Sequence, residues 1–228
     1  MHLTITEKFL LLAHHPEKGR FLTADLQLNH AMTGLQFLEL SYEEAFSLDP
    51  KERLVLRDDY ASNDPLKAEL VERIRKSRRK YKIRDWIIRL SPRMARKRSE
   101  VLEGMQEKGI LRIEPRKFLW LIPYKKTFLE QVMLRKSLID VLRISVLEGK
   151  ELNQEMVALL GLIQACRLEK LLTADKVELK LLQQKLKLLM KESPYAEAVD
   201  KSIRQVQAAI MASIAASTAA AGAAASSR

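Results

Sequence analysis

Apolar residues recur at helical spacing along most of the chain, which predicts a mainly α-helical protein. The pattern indicates a short first helix that starts after Thr4 or Thr6 and carries Phe9, Leu10 and Leu12. A polar loop over residues 14–20 follows, because Pro16 and Gly19 interrupt the pattern there. A longer helix is expected over residues 24–44, with apolar positions at Leu28, Met32, Leu35, Leu38 and Leu40.

Two short alternating stretches predict β-hairpins rather than helices. Residues 45–48 and 54–57 flank the turn sequence Asp49-Pro50-Lys51-Glu52. Residues 110–113 and 118–122 flank Glu114-Pro115-Arg116-Lys117 in the same way. We therefore expect one hairpin near residues 45–57 and a second near residues 110–122.

Proline, serine and glycine divide the remaining helices. Asn63 or Asp64 before Pro65 starts one helix, residues 82–90 form another, and Ser91-Pro92 starts a separate helix that ends at Gly109. Later helices are expected over residues 127–147, 153–172, 174–191 and from 194 onward. Long helices with short connections predict a helical bundle, organised as one domain over residues 1–210. Residues 211–228 are expected to be an Ala/Ser-rich helix end and a disordered tail.

Positive charge is concentrated in one block, residues 73–98. It contains thirteen Lys and Arg residues and one acid, Asp85, so its net charge of +12 exceeds the +11 of the whole chain. Such a block favours a polyanionic partner, which is a membrane surface, a nucleic acid or an acidic protein, over an ordinary solvated helix. Residues assigned to long-range electrostatic attraction are Arg75, Lys76, Arg78, Arg79 and Lys80.

The sequence carries no recognisable catalytic or metal-binding motif, so neither an enzyme, a cofactor nor a metal is predicted. It lacks a glycine-rich phosphate loop, a nucleophile elbow and a His-Glu-x-x-His motif. The adjacent His14 and His15 do not share a helix face, and the single cysteine, Cys166, cannot form an internal disulfide. A reducing, cytoplasmic location is expected, without a secretory signal or a membrane-spanning segment.

One arginine lies within an apolar helix face. At about 100° per residue, Met94, Val101 and Met105 fall within a narrow arc, with Leu102 at its edge. Arg98 lies in the middle of that arc, whereas its basic neighbours point elsewhere. A guanidinium there must pair with an internal carboxylate or meet an external anion, and the sequence leaves both interpretations open. The residues predicted to bind such an anion, as the head group of a membrane phospholipid, are Arg98, Arg93, Arg96 and Lys97.

The helix over residues 92–108 and the hairpin after it also have the order of a winged-helix domain, so nucleic-acid binding is the alternative function. Exposed apolar residues flanked by lysines suit a membrane interface better, and a buried hairpin is a third interpretation. The residues assigned to membrane contact or self-association are Phe118, Leu119, Trp120 and Leu121.

The sequence resembles the Golgi phosphoprotein 3 family through short motifs in matching order from residue 3 to about residue 210. The motifs are Thr4-Ile5-Thr6-Glu7-Lys8-Phe9-Leu10-Leu11-Leu12, Gly34-Leu35-Gln36-Phe37-Leu38-Glu39-Leu40, Asp85-Trp86-Ile87-Ile88-Arg89-Leu90 and the turn Glu107-Lys108-Gly109-Ile110-Leu111 within residues 102–118. This resemblance implies a helical bundle wrapped by amphipathic helices. It also implies peripheral membrane binding to phosphatidylinositol 4-phosphate, and self-association through the 110–122 hairpin.

The positions that carry this lipid site in the family match only in part. Arg98 falls on the second of two basic positions before the Glu-Lys-Gly turn, and Ala95 occupies the first. Ala24 stands at the aromatic position and Thr33 at the other basic position. The resemblance therefore suggests a divergent, bacterial-type member that binds anionic phospholipid head groups at the cytoplasmic face of a membrane, with acidic proteins as further partners.

Overall fold

The computed structural model of the protein describes residues 2–118, 121–149, 152–192 and 207–216. These belong to two compact units, Met1–Asp25 with Arg98–Glu192 and Leu26–Lys97 with Ser193–Arg228. Most described residues are helical, and the described strands form two antiparallel pairs, which confirms the predicted fold class. A single domain over residues 1–210 stays a prediction, and the predicted tail beyond residue 216 lies outside the described residues.

The first unit is built around α1 (Ile5–Ala13). Eight of its nine residues are buried, as expected of a helix that is apolar nearly all round. It packs against α5 (Val132–Glu148) and α6 (Gln154–Ala165), and α7 (Lys176–Glu192) packs against both of these helices. The helix predicted over residues 153–172 ends early, at Ala165, and a single 3-10 turn over Glu169–Leu171 follows it.

Both ends of α1 are held by side chains. At the start, Thr4 Oγ1 accepts the Glu7 N–H and Glu7 Oε2 accepts the Thr4 N–H, at 3.2 and 2.9 Å. Lys108 Nζ lies 2.6 Å from the other oxygen of the buried Glu7. At the end, the buried Arg135 of α5 donates to the carbonyls of Leu11 and Leu12, at 3.2 and 3.1 Å. These last carbonyls have no partner within the helix, so Arg135 acts as its C-terminal cap.

Helix α2 (Asp25–Tyr42) belongs to the second unit except for its first residue, Asp25, which belongs to the first unit. The helix is largely buried. The helical segment of residues 207–216 packs on it, and the side chain of Ile210 lies directly over Gly34. A Cβ atom at Gly34 would be 2.2 Å from Ile210 Cγ1. Close approach of these helices therefore requires glycine at this position.

The first predicted hairpin is confirmed. Strands β1 (Phe46–Leu48) and β2 (Leu54–Leu56) pair in antiparallel register. The side chain of Asp49 organises the turn by accepting the backbone N–H groups of Lys51 and Arg53, both at 2.9 Å. The next helix, α3 (Pro65–Arg75), starts at Asp64 as predicted, because Asp64 Oδ1 accepts the first free N–H groups.

The second hairpin exists, but its turn was predicted at the wrong place. Strand β3 (Leu111–Phe118) pairs along its whole length with β4 (Ile122–Leu129), so residues 114–117 are part of a strand and not of a turn. The Glu-Pro-Arg-Lys sequence lies within β3 instead. Both strands of a two-stranded ribbon are edges and tolerate proline, and Glu114 faces Lys126 as an opposite-charge pair. Since β4 takes residues 127–129, α5 starts later than predicted.

The predicted break at Ser91-Pro92 is also wrong, because α4 (Ile83–Glu107) is continuous and contains Pro92. Proline lacks the N–H that would bind the carbonyl of Ile88 one turn earlier. The hydroxyl of Ser91 donates to that carbonyl at 3.3 Å. This contact replaces the lost bond, which explains how the helix passes through the proline.

Candidate anion-binding site

Arg98 lies on a buried face of α4, as the sequence predicts. Met94, Leu102 and Met105 are 7%, 8% and 0% exposed. The side chain of Arg98 is only 14% exposed. A guanidinium in this position is poorly solvated, so its partners determine what it can do.

Two groups of the first unit contact this guanidinium. Asp25 Oδ1 lies 3.0 Å from the Arg98 Nη2 atom, and the ring centroid of Phe21 lies 5.7 Å from Arg98 Cζ. Arg98 therefore forms an ion pair within the protein, which was one of the two interpretations of the sequence. However, the Asp25 side chain is 77% exposed. Its carboxylate is therefore mainly solvated, although the guanidinium of Arg98 that it contacts is nearly buried.

Arg98 opens onto a cavity of about 360 Å³. The cavity holds three cationic side chains, two carboxylates and three hydroxyl groups. The cations are Arg20, Arg98 and Lys125, the carboxylates are Asp25 and Glu103, and the hydroxyl groups are those of Thr23, Ser99 and Thr127. Each carboxylate is paired with a cation, since Lys125 Nζ lies 2.8 Å from Glu103 Oε1. The cavity therefore carries an excess positive charge beside several hydrogen-bond donors.

The loop predicted over residues 14–20 builds one wall of the cavity. It closes through an isolated bridge between His14 and Phe21 and through the bond from the His15 N–H to the Arg20 carbonyl, 2.9 Å long. Gly19 has a φ of +59°, and a Cβ atom there would lie 2.9 Å from the ring of Phe128. Only glycine satisfies both conditions, and this turn places Arg20 and Phe21 at the cavity.

His14 supports the cavity from behind and is 1% exposed. Its Nε2 atom lies 2.8 Å from Thr127 Oγ1, and its ring meets Phe21 edge-on at 5.1 Å. Burial lowers the pKa of His14, which favours the neutral ring at neutral pH. His14 therefore orients Thr127 and Phe21 without adding charge.

The other predicted head-group residues do not line this cavity. Arg93 and Lys97 belong to the second unit and border a shallow apolar groove with Arg73 and Glu69. Lys97 Nζ lies 3.3 Å from Glu69 Oε2, and Arg96 is exposed. Their assignment to the same site as Arg98 stays a prediction.

The sequence did not predict that Arg20, Phe21 and Lys125 belong to the site. Nothing in their local pattern distinguishes them, because Arg20 and Phe21 follow a polar loop and Lys125 lies in the strand whose register was mispredicted. Phe21 brings an aromatic ring to Arg98 three residues before Ala24, where the family pattern expects one. Thr33 is fully buried and donates to the Asn29 carbonyl at 2.7 Å, so it cannot replace the missing basic residue.

Of the residues assigned to electrostatic attraction, Arg75 is the last residue of α3 and the other four lie between α3 and α4. Arg75 donates to the Tyr60 carbonyl at 2.8 Å, and Lys76 pairs with Glu72 at 2.5 Å. The remaining three, Arg78, Arg79 and Lys80, are exposed, and no described residue forms an ion pair with them. This geometry suits long-range attraction better than a shaped binding site.

Two of the four predicted membrane or self-association residues, Phe118 and Leu121, are described by the structure. Phe118 is the last residue of β3, and Leu121, just before β4, is 84% exposed. Leu119 and Trp120 lie outside the described residues. The contacts of these residues with a membrane or a second copy stay predictions.

Two further observations concern the described residues. They contain no cluster of three or more His, Cys, Asp or Glu side chains that could hold a metal ion. Their helices are all too short or too polar to cross a membrane.

Comparison with known proteins identifies the family of the chain. The profile of the Golgi phosphoprotein 3 (GPP34) family matches residues 5–206. No individual curated protein matches the sequence. The matched region contains α1, the cavity of Arg98 and the β3–β4 ribbon, so the fold and the candidate site lie within it. The chain therefore belongs to the Golgi phosphoprotein 3 family.

Proposed function

We propose that this protein is a non-enzymatic, peripheral membrane protein that binds anionic phospholipid head groups in the cavity of Arg98. Membership of the Golgi phosphoprotein 3 family supports a lipid-binding role. The single observation that carries the proposal is the nearly buried guanidinium of Arg98, which faces an open cavity with Arg20 and Lys125. By family resemblance, the preferred head group is a monophosphorylated inositol such as that of phosphatidylinositol 4-phosphate.

The chemistry of the cavity suits a phosphate group better than a carboxylate. A phosphate carries up to two negative charges and accepts two parallel hydrogen bonds from one guanidinium. It would replace the exposed Asp25 carboxylate at Arg98, and Lys125 would exchange Glu103 for a second phosphate oxygen. The hydroxyl oxygens of Thr23, Ser99 and Thr127 provide polar atoms for hydrogen bonds with the inositol ring.

The remaining features fit attachment to the cytoplasmic face of a membrane. The exposed Arg78, Arg79 and Lys80 would attract an anionic surface before the head group enters the cavity. The exposed Leu121 at the β3–β4 turn would contact the interface or a second copy of the chain. Acidic proteins are the other partners that the basic segment would attract.

We expect Arg98→Ala to weaken binding of soluble inositol 4-phosphate about tenfold to a hundredfold, because hydrogen bonds to charged groups contribute about 1.5–3 kcal/mol. Its melting temperature should change little, since the Asp25 carboxylate that pairs with Arg98 is mainly solvated. Titration calorimetry and thermal unfolding on the same samples measure both quantities.

Two variants serve as controls for Arg98. Arg84→Ala removes an exposed cation of the same helix that is neither a predicted head-group residue nor part of the cavity lining, and should keep the affinity within about twofold. Asp25→Asn removes the competing carboxylate, and should raise the affinity if a phosphate takes its place. A large loss of stability in Arg98→Ala with unchanged affinity per folded molecule would make Arg98 a structural residue only.

Neutralising Arg78, Arg79 and Lys80 together should act differently. Exposed charges are screened over about 10 Å at 0.1 M salt. We therefore expect weaker flotation with anionic vesicles at low salt and little difference from the unmodified chain at about 0.5 M, while inositol 4-phosphate affinity is unchanged. A loss of binding that is equal at both salt concentrations would contradict the role in long-range attraction.

The nucleic-acid alternative is tested in parallel by a duplex-DNA shift assay at the salt concentration of the flotation experiment. The helix-then-ribbon order is present, but the helix that would enter a groove is the second part of the continuous α4, with no turn before it. Tight DNA binding without vesicle flotation would favour this alternative.

A further inference from the structure

Helix α7 exposes a row of apolar side chains on its outer face. Val177, Leu181 and Leu188 are 79%, 44% and 51% exposed and lie within an arc of about 40° when the helix is viewed along its axis. The opposite face is already buried through Leu182 and Leu186. Packing of the first unit therefore does not require the exposed row.

Helix α5 exposes a similar row beside it: Met133, Val141 and Ile144 are 72%, 47% and 42% exposed. The two helices pack side by side, with Arg143 Nε 2.9 Å from Glu178 Oε1 along their seam. We call the six exposed side chains on the two helices the α5–α7 patch. Exposed apolar side chains grouped on one side of two packed helices are typical of membrane or protein contacts.

A row of lysines follows the outer edge of the patch. Lys176, Lys180 and Lys187 are exposed, share an arc of about 40°, and form no ion pair with any described residue. The nearby acids are used elsewhere. Glu178 binds Arg143 and Thr173, and Asp175 accepts the first N–H groups of α7.

We propose that the α5–α7 patch is a second membrane-contact surface, which lies shallowly in an anionic lipid interface. This inference rests on the proposed peripheral membrane function. An apolar row bordered by lysines that form no ion pair with a described residue is the pattern of an interfacial helix, because lysines near an anionic surface are attracted to it.

The size of the patch argues against a second copy of the chain as its occupant. Each row extends over twelve residues, and its first and last Cα atoms are separated by about 17 Å along the helix axis. Two adjacent rows therefore cover roughly 300 Å², well below the roughly 800 Å² that each partner buries in a stable interface. A shallow lipid contact needs no such area, because it adds to the binding of the head group.

A fluorescent probe on α7 tests the proposal directly. Val177→Cys is labelled with an environment-sensitive thiol dye, and the only natural thiol, Cys166, is buried with its pKa raised to about 12, so it does not compete. The full chain is mixed with phosphatidylcholine vesicles that contain phosphatidylserine and phosphatidylinositol 4-phosphate. We expect a blue shift and quenching by shallow spin-labelled lipids. The same dye at Ser47→Cys, an exposed β1 position, should show neither.

The double variant Leu181→Gln/Leu188→Gln gives an independent measurement. It should reduce vesicle affinity about tenfold with an unchanged melting temperature, since both side chains are already half-exposed. Flotation of the chain without any response of the probe at position 177 would overturn the proposal and leave the head-group function intact. Loss of a dimer in sedimentation velocity with unchanged flotation would overturn it in favour of a second copy. Absence of flotation for the unmodified chain would overturn both proposals.

Discussion

Gly34→Ala should lower the free energy of unfolding of the protein by about 2 kcal/mol. Replacing glycine by alanine within a helix usually has the opposite effect and raises it by about 1 kcal/mol. The new Cβ atom would lie 2.2 Å from Ile210 Cγ1. Because carbon atoms pack best at about 3.5–4.0 Å, α2 and the helical segment 207–216 would have to separate by more than 1 Å. Denaturant unfolding, followed by circular dichroism, measures the change.

The chain provides a matched control in α4. Gly104 is also helical, but a Cβ atom there would have no neighbour within 4 Å, so Gly104→Ala should stabilise the protein by a few tenths to about 1 kcal/mol. Combining Gly34→Ala with Ile210→Ala should recover at least about 1 kcal/mol relative to the sum of the single changes, because the clashing atom is gone. Strict additivity of the two changes would show that this contact does not limit the packing.

The features predicted correctly from sequence are those fixed by neighbours along the chain. The helix start at Thr4, one of the two expected positions, and the turn at Asp49 involve residues three or four positions apart, so their patterns are visible locally. The apolar arc around Arg98 is likewise a property of one helix. These features gave the fold class, the first hairpin and the unusual position of the arginine.

The wrong or missing predictions depend on contacts that no local pattern encodes. Pro92 normally marks a helix start, but the Ser91 hydroxyl replaces the bond that Ile88 would lose. The turn of the second hairpin is fixed by pairing of Leu111 with Leu129, eighteen residues away. The apolar arc and the family motifs both indicated Arg98, whereas the contact with Phe21 comes from the fold of the N-terminal loop.

Arg135→Met should destabilise the protein by about 2–4 kcal/mol. Methionine keeps most of the apolar length of arginine but removes both hydrogen bonds to the carbonyls of Leu11 and Leu12. Both leucines are fully buried, so water cannot easily replace the lost donors, and each unsatisfied buried group costs about 1–3 kcal/mol. The melting temperature and denaturant midpoint measure the loss.

Arg143→Met is the matched control on the same helix. Arg143 pairs with Glu178 across α5 and α7 and is 37% exposed, so its removal should cost no more than about 1 kcal/mol. Hydrogen exchange distinguishes a lost cap from general destabilisation. In Arg135→Met, the Leu22 amide, which binds the Ala13 carbonyl at the end of α1, should lose protection before the amides of α6 do. Equal stability losses in the two variants, with uniform changes in exchange, would contradict the assignment of Arg135 as the cap of the central helix.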